Sequence, residues 1–257
     1  MRSPASCPGR GAKNTEDSKK RVVSLKTGTR SGPASGRLSS LRQSVPVLRL
    51  VSSDFDEAPV DSDLADAVEG LKAIFQKRKI ECAFGKTDKT VVEDLRKKLR
   101  IPARYRAFLT AANPTNVETV TPVERVRLLP ASELESAQEA VKSPQEGGAA
   151  TLDWKSSWVV IAESSLLGDP YFLDLAKLDP EGDCPVYTAM SGQDRWNPTL
   201  AASSFAQFLR ILATSMEVAA GFGDAIMDDE DEDSFREALS PKVKVIDAAA
   251  LRAGHWT

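Results

Sequence analysis

Residues 158–174 read WVVIAESSLLGDPYFLD. Two apolar runs of strand length, WVVIAES and PYFLDLA, are separated by a short segment that ends in Gly168 and Asp169, and the second run continues to residue 176. Glycine and an aspartate before proline are typical turn residues, so this stretch predicts two strands joined by a tight turn. A third run of strand length, PVYTAM, follows at residues 185–190. Three such strands joined by short connections predict an antiparallel sheet.

Helical patterns lie on both sides of these strands. Residues 61–79 repeat apolar side chains at intervals of three and four, which is typical of a helix with one buried face. Residues 203–220 do the same, and we expect their apolar face to dock on the sheet. Residues 102–112, PARYRAFLTAA, predict a further helix, which must end before Pro114. Capping boxes predict three helix starts: Thr90 with Glu93, Ser132 with Glu135, and Ser204 with Gln207.

Charge is distributed unevenly along the chain. The first fifty residues carry 11 Lys or Arg and 2 acids, and the rest carry 23 Lys or Arg and 35 acids, which gives net charges of +9 and −12. Residues 1–60 offer few bulky apolar side chains, which predicts a disordered tail that is basic and then acidic. We therefore expect an α+β domain over residues 61–220, with a mainly antiparallel sheet and surrounding helices. An acidic C-terminal segment with a short helix and a tail is expected at 221–257.

Few residues suit catalysis or metal binding. The single histidine, His255, is the third residue from the C-terminus, where chain ends usually fray. Mechanisms and metal sites that need a firmly held histidine are therefore not expected. Cys7, Cys82 and Cys184 form no C-x-x-C pair, so we expect free thiols in a reducing compartment. No apolar run is long enough for a membrane span, and the first residues lack the apolar core of a secretory signal, which favours a cytoplasmic location.

Several phrases occur together in an order that is typical of one protein family. They are LRIPARYRAFL at 99–109, WVVIAESSLLGDPYFLD at 158–174, PVYTAMSG at 185–192, Trp196, and SSFAQFLRIL at 203–212. On these phrases the chain resembles the SUKH superfamily of SMI/KNR-like proteins, with the core of the match over residues 90–215. Two positions depart from the pattern: Asn113-Pro114 stands where the family usually has Asn-Gly, and Ser191 stands where many relatives have histidine.

The resemblance implies a fold and a way of acting. SUKH proteins are α+β domains that act by binding, so the resemblance implies no catalytic residue, metal or cofactor. Bacterial members are similar to immunity proteins that neutralise polymorphic toxins, often nucleases, and fungal relatives act as regulatory scaffolds. The first hypothesis is therefore a cytoplasmic immunity protein whose partner is a toxin domain, and the alternative is a regulatory scaffold.

Five residues are candidates for contact with a protein partner, because exposed aromatic side chains beside acids commonly anchor interfaces. They are Asp169, Tyr171, Asp174, Asp194 and Trp196. The acidic charge beyond residue 50 would complement a nuclease, whose active site is basic in order to hold phosphate. Trp158 begins an apolar strand and is expected in the core, whereas the position of Trp154 stays open.

Other functions remain as alternatives. Asp169 and Asp174 could act as the acid and base of a hydrolase, although an aspartate before proline more often belongs to a turn. Residues 1–50 leave three alternatives open: nonspecific binding to nucleic acid or another anionic surface, a solubilising tail, or a segment that precedes the true start of translation.

Overall fold

Helices and strands form where the apolar pattern repeats. The computed structural model describes residues 62–143, 153–193, 195–222 and 229–257. Within these ranges, seven α-helices, seven strands and two short 3-10 turns follow one another. In chain order they are α1 Ser62–Arg78, β1 Ala83–Gly85, α2 Lys89–Leu99, α3 Ala103–Ala112, β2 Asn113–Asn116, β3 Val126–Leu128, the first 3-10 turn Ala131–Glu133, α4 Leu134–Ala140, β4 Trp158–Ser164, β5 Pro170–Asp174, the second 3-10 turn Leu175–Lys177, β6 Val186–Thr188, β7 Thr199–Ala202, α5 Phe205–Ala219, α6 Asp229–Ile246 and α7 Ala248–Ala253.

The main sheet of the described chain has five antiparallel strands in the order β3-β4-β5-β6-β7. Neighbouring strands pair in register, with Val160 opposite Phe172 and Phe172 opposite Tyr187. The predicted α+β class, with a mainly antiparallel sheet and surrounding helices, is confirmed. The sequence does not predict β7 or the small sheet of β1 and β2, because these strands are short and lack an alternating pattern of β-branched or aromatic residues.

Helices α1 and α5 pack against each other through the apolar faces that their spacing predicts. Leu64, Val68 and Leu71 of α1 are buried, as are Phe205 and Phe208 of α5. α5 also packs on the sheet. The two longest apolar patterns of the sequence therefore form one layer of the domain, and the expected docking of the second helix is confirmed.

One of the three predicted helix caps is present. At the start of α5, the Ser204 hydroxyl accepts a hydrogen bond from the backbone N–H of Gln207 at 3.1 Å. The caps predicted at Thr90 and Ser132 are wrong. Asp88 precedes α2 and its side chain makes no cap bond, while Ser132 lies inside the 3-10 turn before α4. In both places the chain enters the helix at a different residue from the one that the capping box marks.

A buried carboxylate, Asp183, connects three elements. It lies just before β6 and is 1% exposed. Its oxygens accept hydrogen bonds from the Arg104 guanidinium of α3 at 2.9 Å, from the N–H of Phe205 at the start of α5 at 3.1 Å, and from the N–H of Cys184 at 2.7 Å. Because a buried charge must be paired, these bonds fix how α3 and α5 meet the sheet.

The C-terminal segment is more regular than expected. The prediction of one short helix followed by a tail is wrong, because α6 has 18 residues and α7 follows it. Phe235, Leu239 and Val243 recur at intervals of four along α6 and are buried in the main core. α6 packs on α5, and α7 packs on β7. The run of acids at the start of α6 makes the average composition of residues 221–257 polar, so the composition gives no sign of this apolar stripe.

Asp247 fixes the C-terminal helices to the rest of the domain. Its buried carboxylate accepts hydrogen bonds from the N–H groups of Ala249 and Ala250, both at 3.0 Å, and so caps α7. The Ser203 hydroxyl, which lies between β7 and α5, donates to the same carboxylate at 3.0 Å. The Gln207 side chain donates to the last carbonyl oxygen of α6 at 3.1 Å. Side-chain hydrogen bonds therefore add to the apolar contacts of α6.

Two predictions concern residues that are not described. They are the disordered tail and linker over residues 1–60 and the partner contact of Asp194, which both lie outside the described ranges. Of the helices that are described, none is long and apolar enough to cross a membrane.

We expect Asp183→Ala to lower the free energy of unfolding by about 3 kcal/mol, because it removes the buried partner of Arg104 and the acceptor of two backbone N–H groups. Urea unfolding followed by circular dichroism measures the loss. Asp94→Ala is the matched control, since Asp94 pairs with Lys97 at 3.4 Å on an exposed surface and should cost less than about 1 kcal/mol. Equal losses in the two variants would show that Asp183 does not hold the elements together.

Candidate functional site

The turn between β4 and β5 is tied to the loop between β6 and β7. Gly168 has a φ of +72°, a left-handed conformation that glycine adopts without strain. Beside it, Oδ1 of Asp169 accepts a hydrogen bond from the N–H of Ser191 at 2.7 Å and lies 2.8 Å from the Ser191 hydroxyl. That hydroxyl is also 3.0 Å from the carbonyl oxygen of Leu167. Asp169 therefore joins the two loops.

Three exposed aliphatic side chains lie on these joined loops. Leu166, Leu167 and Met190 are 44%, 67% and 62% exposed, and we call them the loop-end patch. Single exposed apolar residues are common on protein surfaces. A local concentration of apolar surface on loops that are held in place is more typical of an interaction site.

The two aromatic candidates do not contribute to this surface. The expectation that Tyr171 and Trp196 are exposed is wrong, because Tyr171 is fully buried and Trp196 is 6% exposed. Tyr171 belongs to β5, which lies in the middle of the sheet and whose five residues are all buried. Side chains of a strand point alternately to the two faces of the sheet, so none of them reaches solvent when both faces are covered.

The acidic candidates differ in their surroundings. Asp174 ends β5 and is buried, and its Oδ1 accepts hydrogen bonds from the Ser157 hydroxyl and the N–H of Ala176, both at 3.2 Å. It caps the second 3-10 turn, so its carboxylate is already used within the domain. Asp169 is partly exposed, and its hydrogen bond with Ser191 joins the two loops. Asp194 lies outside the described residues.

An aromatic cluster covers the face of the sheet that points away from α5. Phe172 of β5 packs against Trp158 with ring centroids 4.7 Å apart. Trp154 contacts Trp158, Phe172 and Trp196 edge-on at 5.2, 4.9 and 5.2 Å. The core position expected for Trp158 is confirmed, and Trp154, which the sequence leaves open, belongs to the same cluster.

On the face of the sheet that α5 covers, Tyr171 joins two further buried groups. Its hydroxyl lies 2.7 Å from Oε1 of Glu124 and 2.9 Å from Nε2 of His255. Arg236 of α6 donates to the carbonyl oxygen of His255 at 3.1 Å. The expectation that His255 frays with the chain end is therefore wrong. Its neighbour Trp256 is the reason, because the indole N–H donates to a carbonyl oxygen of β7 at 2.7 Å and anchors the terminus.

Burial controls the protonation of these three groups. Burial and the nearby Arg236 lower the pKa of His255 to about 4, so its imidazole is neutral at pH 7. Burial raises the pKa of Glu124, although the hydrogen bond from Tyr171 opposes that rise. Burial also raises the pKa of Tyr171, whose hydroxyl therefore keeps its proton. The hydroxyl can donate to an ionised Glu124, or to His255 when Glu124 holds a proton.

The space beside this network is too small for a substrate. The adjoining cavity, lined by Glu124, Arg236, His255 and Trp256 among others, measures about 20 Å³. That volume holds roughly one water molecule, whereas small-molecule sites usually exceed about 300 Å³. The network therefore serves the packing of the C-terminus against the sheet.

Comparison with known families gives a match for the middle of the chain. Residues 87–211 match the SMI1/KNR4 family (SUKH-1), from just before α2 to the middle of α5. The chain carries a SUKH domain. The resemblance found in the sequence is confirmed, and at the family level it supports an immunity- or cell-wall-related domain. Domains of this superfamily generally bind protein partners. No curated protein matches the chain.

The family match does not include all of the packed structure. Helices α1, α6 and α7 lie outside residues 87–211 but share the core of the SUKH domain. His255 and Trp256 come from this added C-terminal part. The buried network around Tyr171 is therefore built jointly by the matched region and its extension.

Sequence reasoning misses the residues that form the surface and the network of this SUKH domain. They are Glu124, Leu166, Leu167, Met190, Ser191 and His255. The exposure of the loop-end patch could have been predicted from the sequence. Two leucines directly precede Gly168 in a predicted turn, where no helix or strand is expected to bury them. No local signal exists for His255, because it is 84 residues from Tyr171 along the chain.

We expect stability to depend on pH through His255. Its pKa is near 6.5 when unfolded and about 4 when folded, so its stabilising effect is complete above pH 6.5 and is lost as the pH falls toward 4. At pH 5 the loss relative to pH 7 should be about 2 kcal/mol. The raised pKa of Glu124 acts in the opposite direction, because the folded state then gains stability as the pH falls.

Urea unfolding at pH 7, 6 and 5 in the wild-type protein and in His255→Gln measures the histidine effect. Glutamine can hydrogen-bond to Tyr171 but does not titrate, and Glu124 is present in both proteins. The variant should therefore lose about 2 kcal/mol less than the wild type between pH 7 and pH 5. The same pH dependence in both proteins would contradict a buried neutral His255.

Proposed function

We propose that this SUKH domain is a non-catalytic binding module that contacts its protein partner through the loop-end patch, and that it acts as a bacterial immunity protein against a toxin domain. The observation that carries the proposal is the exposure of Leu166, Leu167 and Met190 on loops that Asp169 and Ser191 hold together. A cytoplasmic location is part of the same proposal, because an immunity protein acts where the toxin arrives.

The rigidity of the loop ends favours binding. Ordering a flexible loop on association costs free energy, which a loop that is already held in place avoids. Here the backbone N–H of Gly168 donates to the carbonyl oxygen of Ser164 at 2.8 Å, and the N–H of Ser164 donates to that of Asp169 at 2.8 Å. Complete burial of one leucine or methionine side chain contributes about 1.5–3 kcal/mol. Three such side chains on preformed loops can therefore anchor an interface.

Charge supports a basic partner. Beyond residue 50 the chain carries 23 Lys or Arg and 35 acids, a net charge of −12. Charge complementarity increases the rate at which a basic protein associates with such a surface. A nuclease toxin has a basic active-site region, since it must hold phosphate. The combination of acidic charge and a rigid apolar patch suits a partner of that class.

The placement of the two aspartates argues against a hydrolase. β5 separates Asp169 from Asp174, and at about 3.3 Å per residue their backbones lie roughly 16 Å apart. The acid pairs of glycoside hydrolases lie about 5–9.5 Å apart. Each aspartate also accepts hydrogen bonds from a neighbouring segment, Asp169 from Ser191 and Asp174 from Ser157. These observations support a structural role for both.

If the immunity proposal holds, a neighbouring gene encodes the toxin domain, and we expect the double variant Leu167→Ser and Met190→Ser to bind that domain about 10- to 100-fold more weakly than the wild type, because two apolar anchors are lost. Calorimetric titration of the purified proteins measures the affinity. Val245→Ser is the matched control, since Val245 is 88% exposed on α6 and should leave the affinity unchanged. Melting temperatures near that of the wild type would show that both variants remain folded.

Asp169→Ala tests whether the loops must be joined. It should also weaken binding, although its role is to position Leu167 and Met190 through Ser191. Tight binding by the double serine variant would contradict the loop-end patch, and failure of the wild type to bind the neighbouring toxin would contradict the immunity function.

Deleting residues 1–50 should leave toxin binding intact, whereas a scaffold that recruits partners through its basic arm should lose them.

A further inference from the structure

A concave surface lies at the opposite end of β4 and β5 from the loop-end patch. It forms where the chain passes from α2 to α3 and where β4 begins and β5 ends. The groove has a volume of about 290 Å³. We call it the strand-end groove, and it is lined by Arg100, Pro102, Ser156, Ser157, Leu175, Ala176 and Leu178.

The groove is apolar over much of its lining. Pro102, Leu175, Ala176 and Leu178 contribute carbon surface, and Leu178 is 54% exposed. A leucine with this exposure in a concave surface offers more contact area to a ligand than one on a convex surface. The apolar lining therefore has space for an aliphatic side chain from outside.

Arg100 supplies a cation at the edge of the groove. It directly follows α2 as its C-terminal capping residue with a φ of +57°, and its backbone N–H donates to the carbonyl oxygen of Arg96 at 3.0 Å. Its side chain is exposed and makes no hydrogen bond or ion pair within the described part of the chain. The neighbouring lysines of α2 differ, since Lys97 pairs with Asp94 at 3.4 Å and Lys98 pairs with Glu135 at 2.8 Å.

Nearby hydroxyl and acidic groups leave the guanidinium open to a ligand. The exposed Ser156 hydroxyl also has no partner among the described residues, whereas the Ser157 hydroxyl donates to Asp174 at 3.2 Å. Asp179, next to Leu178, accepts a hydrogen bond from the N–H of Asp183 at 2.7 Å. The two acids closest along the chain to the groove lining are thus already engaged by the protein itself.

The geometry points to a peptide-binding groove that takes a short extended segment of a partner protein, with a carboxylate side chain one or two residues from an aliphatic side chain. A planar guanidinium pairs with a carboxylate through two hydrogen bonds. Leu175 and Leu178 would contact the aliphatic side chain, and the Ser156 hydroxyl would bond the peptide backbone. A free inorganic anion would leave the apolar lining unused, which is why the observations favour a peptide.

This groove is independent of the toxin-binding function. β4 has seven residues, so the two ends of the hairpin are roughly 20 Å or more apart. Two separate partners can therefore bind at the same time, as a scaffold requires. Loss of one interaction need not affect the other.

Selection of a phage-displayed random heptapeptide library on the immobilised full chain tests the groove. We expect the enriched peptides to share an acid beside a leucine, isoleucine or valine. A synthetic peptide with that consensus should shift the backbone amide signals of Ser156, Ser157, Ala176 and Leu178 in nuclear magnetic resonance spectra. Its affinity should fall about tenfold in Arg100→Gln, and also when its acid is replaced by the matching amide.

Lys97→Gln is the matched control, because it removes a cation of the same helix that is already paired, and it should leave the affinity unchanged. Leu178→Ser should weaken binding through the apolar lining. The inference is wrong if no peptide is enriched, if the consensus lacks an acid, if Arg100→Gln binds as well as Lys97→Gln, or if the shifted signals lie elsewhere. Toxin binding that persists in Arg100→Gln would then leave the proposed function standing.

Discussion

The burial of β5 on both faces is the constraint on which the rest of the structure depends. A central strand with no face in solvent needs two covering layers. Helix α5 provides one, where Tyr171 meets Phe208 with ring centroids 5.2 Å apart, and the tryptophan cluster around Phe172 provides the other. Side chains on this strand are therefore used for packing, and contact with other molecules is left to its two ends. The loop-end patch lies at one end and the strand-end groove at the other.

Helix α7, which lies outside the family match, completes the domain at the edge of the sheet. An edge strand presents unpaired backbone groups that can pair with another chain. β7 is such a strand, and it is covered by α7 and by the indole of Trp256. Asp247 holds α7 in that position from both sides, through its own helix and through Ser203. The C-terminal extension therefore protects a strand that the five-stranded sheet would otherwise leave open.

Much of the fold can be predicted from the sequence because its signals are local. The stripe of α1, the strands around Gly168 and the cap at Ser204 each depend on a few neighbouring residues. Features that depend on distant contacts cannot be predicted in this way. β7 is a strand because β6 lies beside it, and α6 is held by α5 although it begins with a run of acids. His255 is fixed by partners that are far away in the sequence.

The candidate site shows the same division between local and distant information. Asp169, Tyr171 and Trp196 attract attention because they belong to phrases that mark the family, yet each is engaged inside the domain, by Ser191, Glu124 and Trp154 respectively. Leu167 and Met190 lie within the same phrases, but their side chains are exposed, so packing does not restrict which residue occupies their positions. The buried residues of these phrases identify the fold but are poor indicators of the interface. The surface that meets a partner has to be recognised by what the framework leaves exposed.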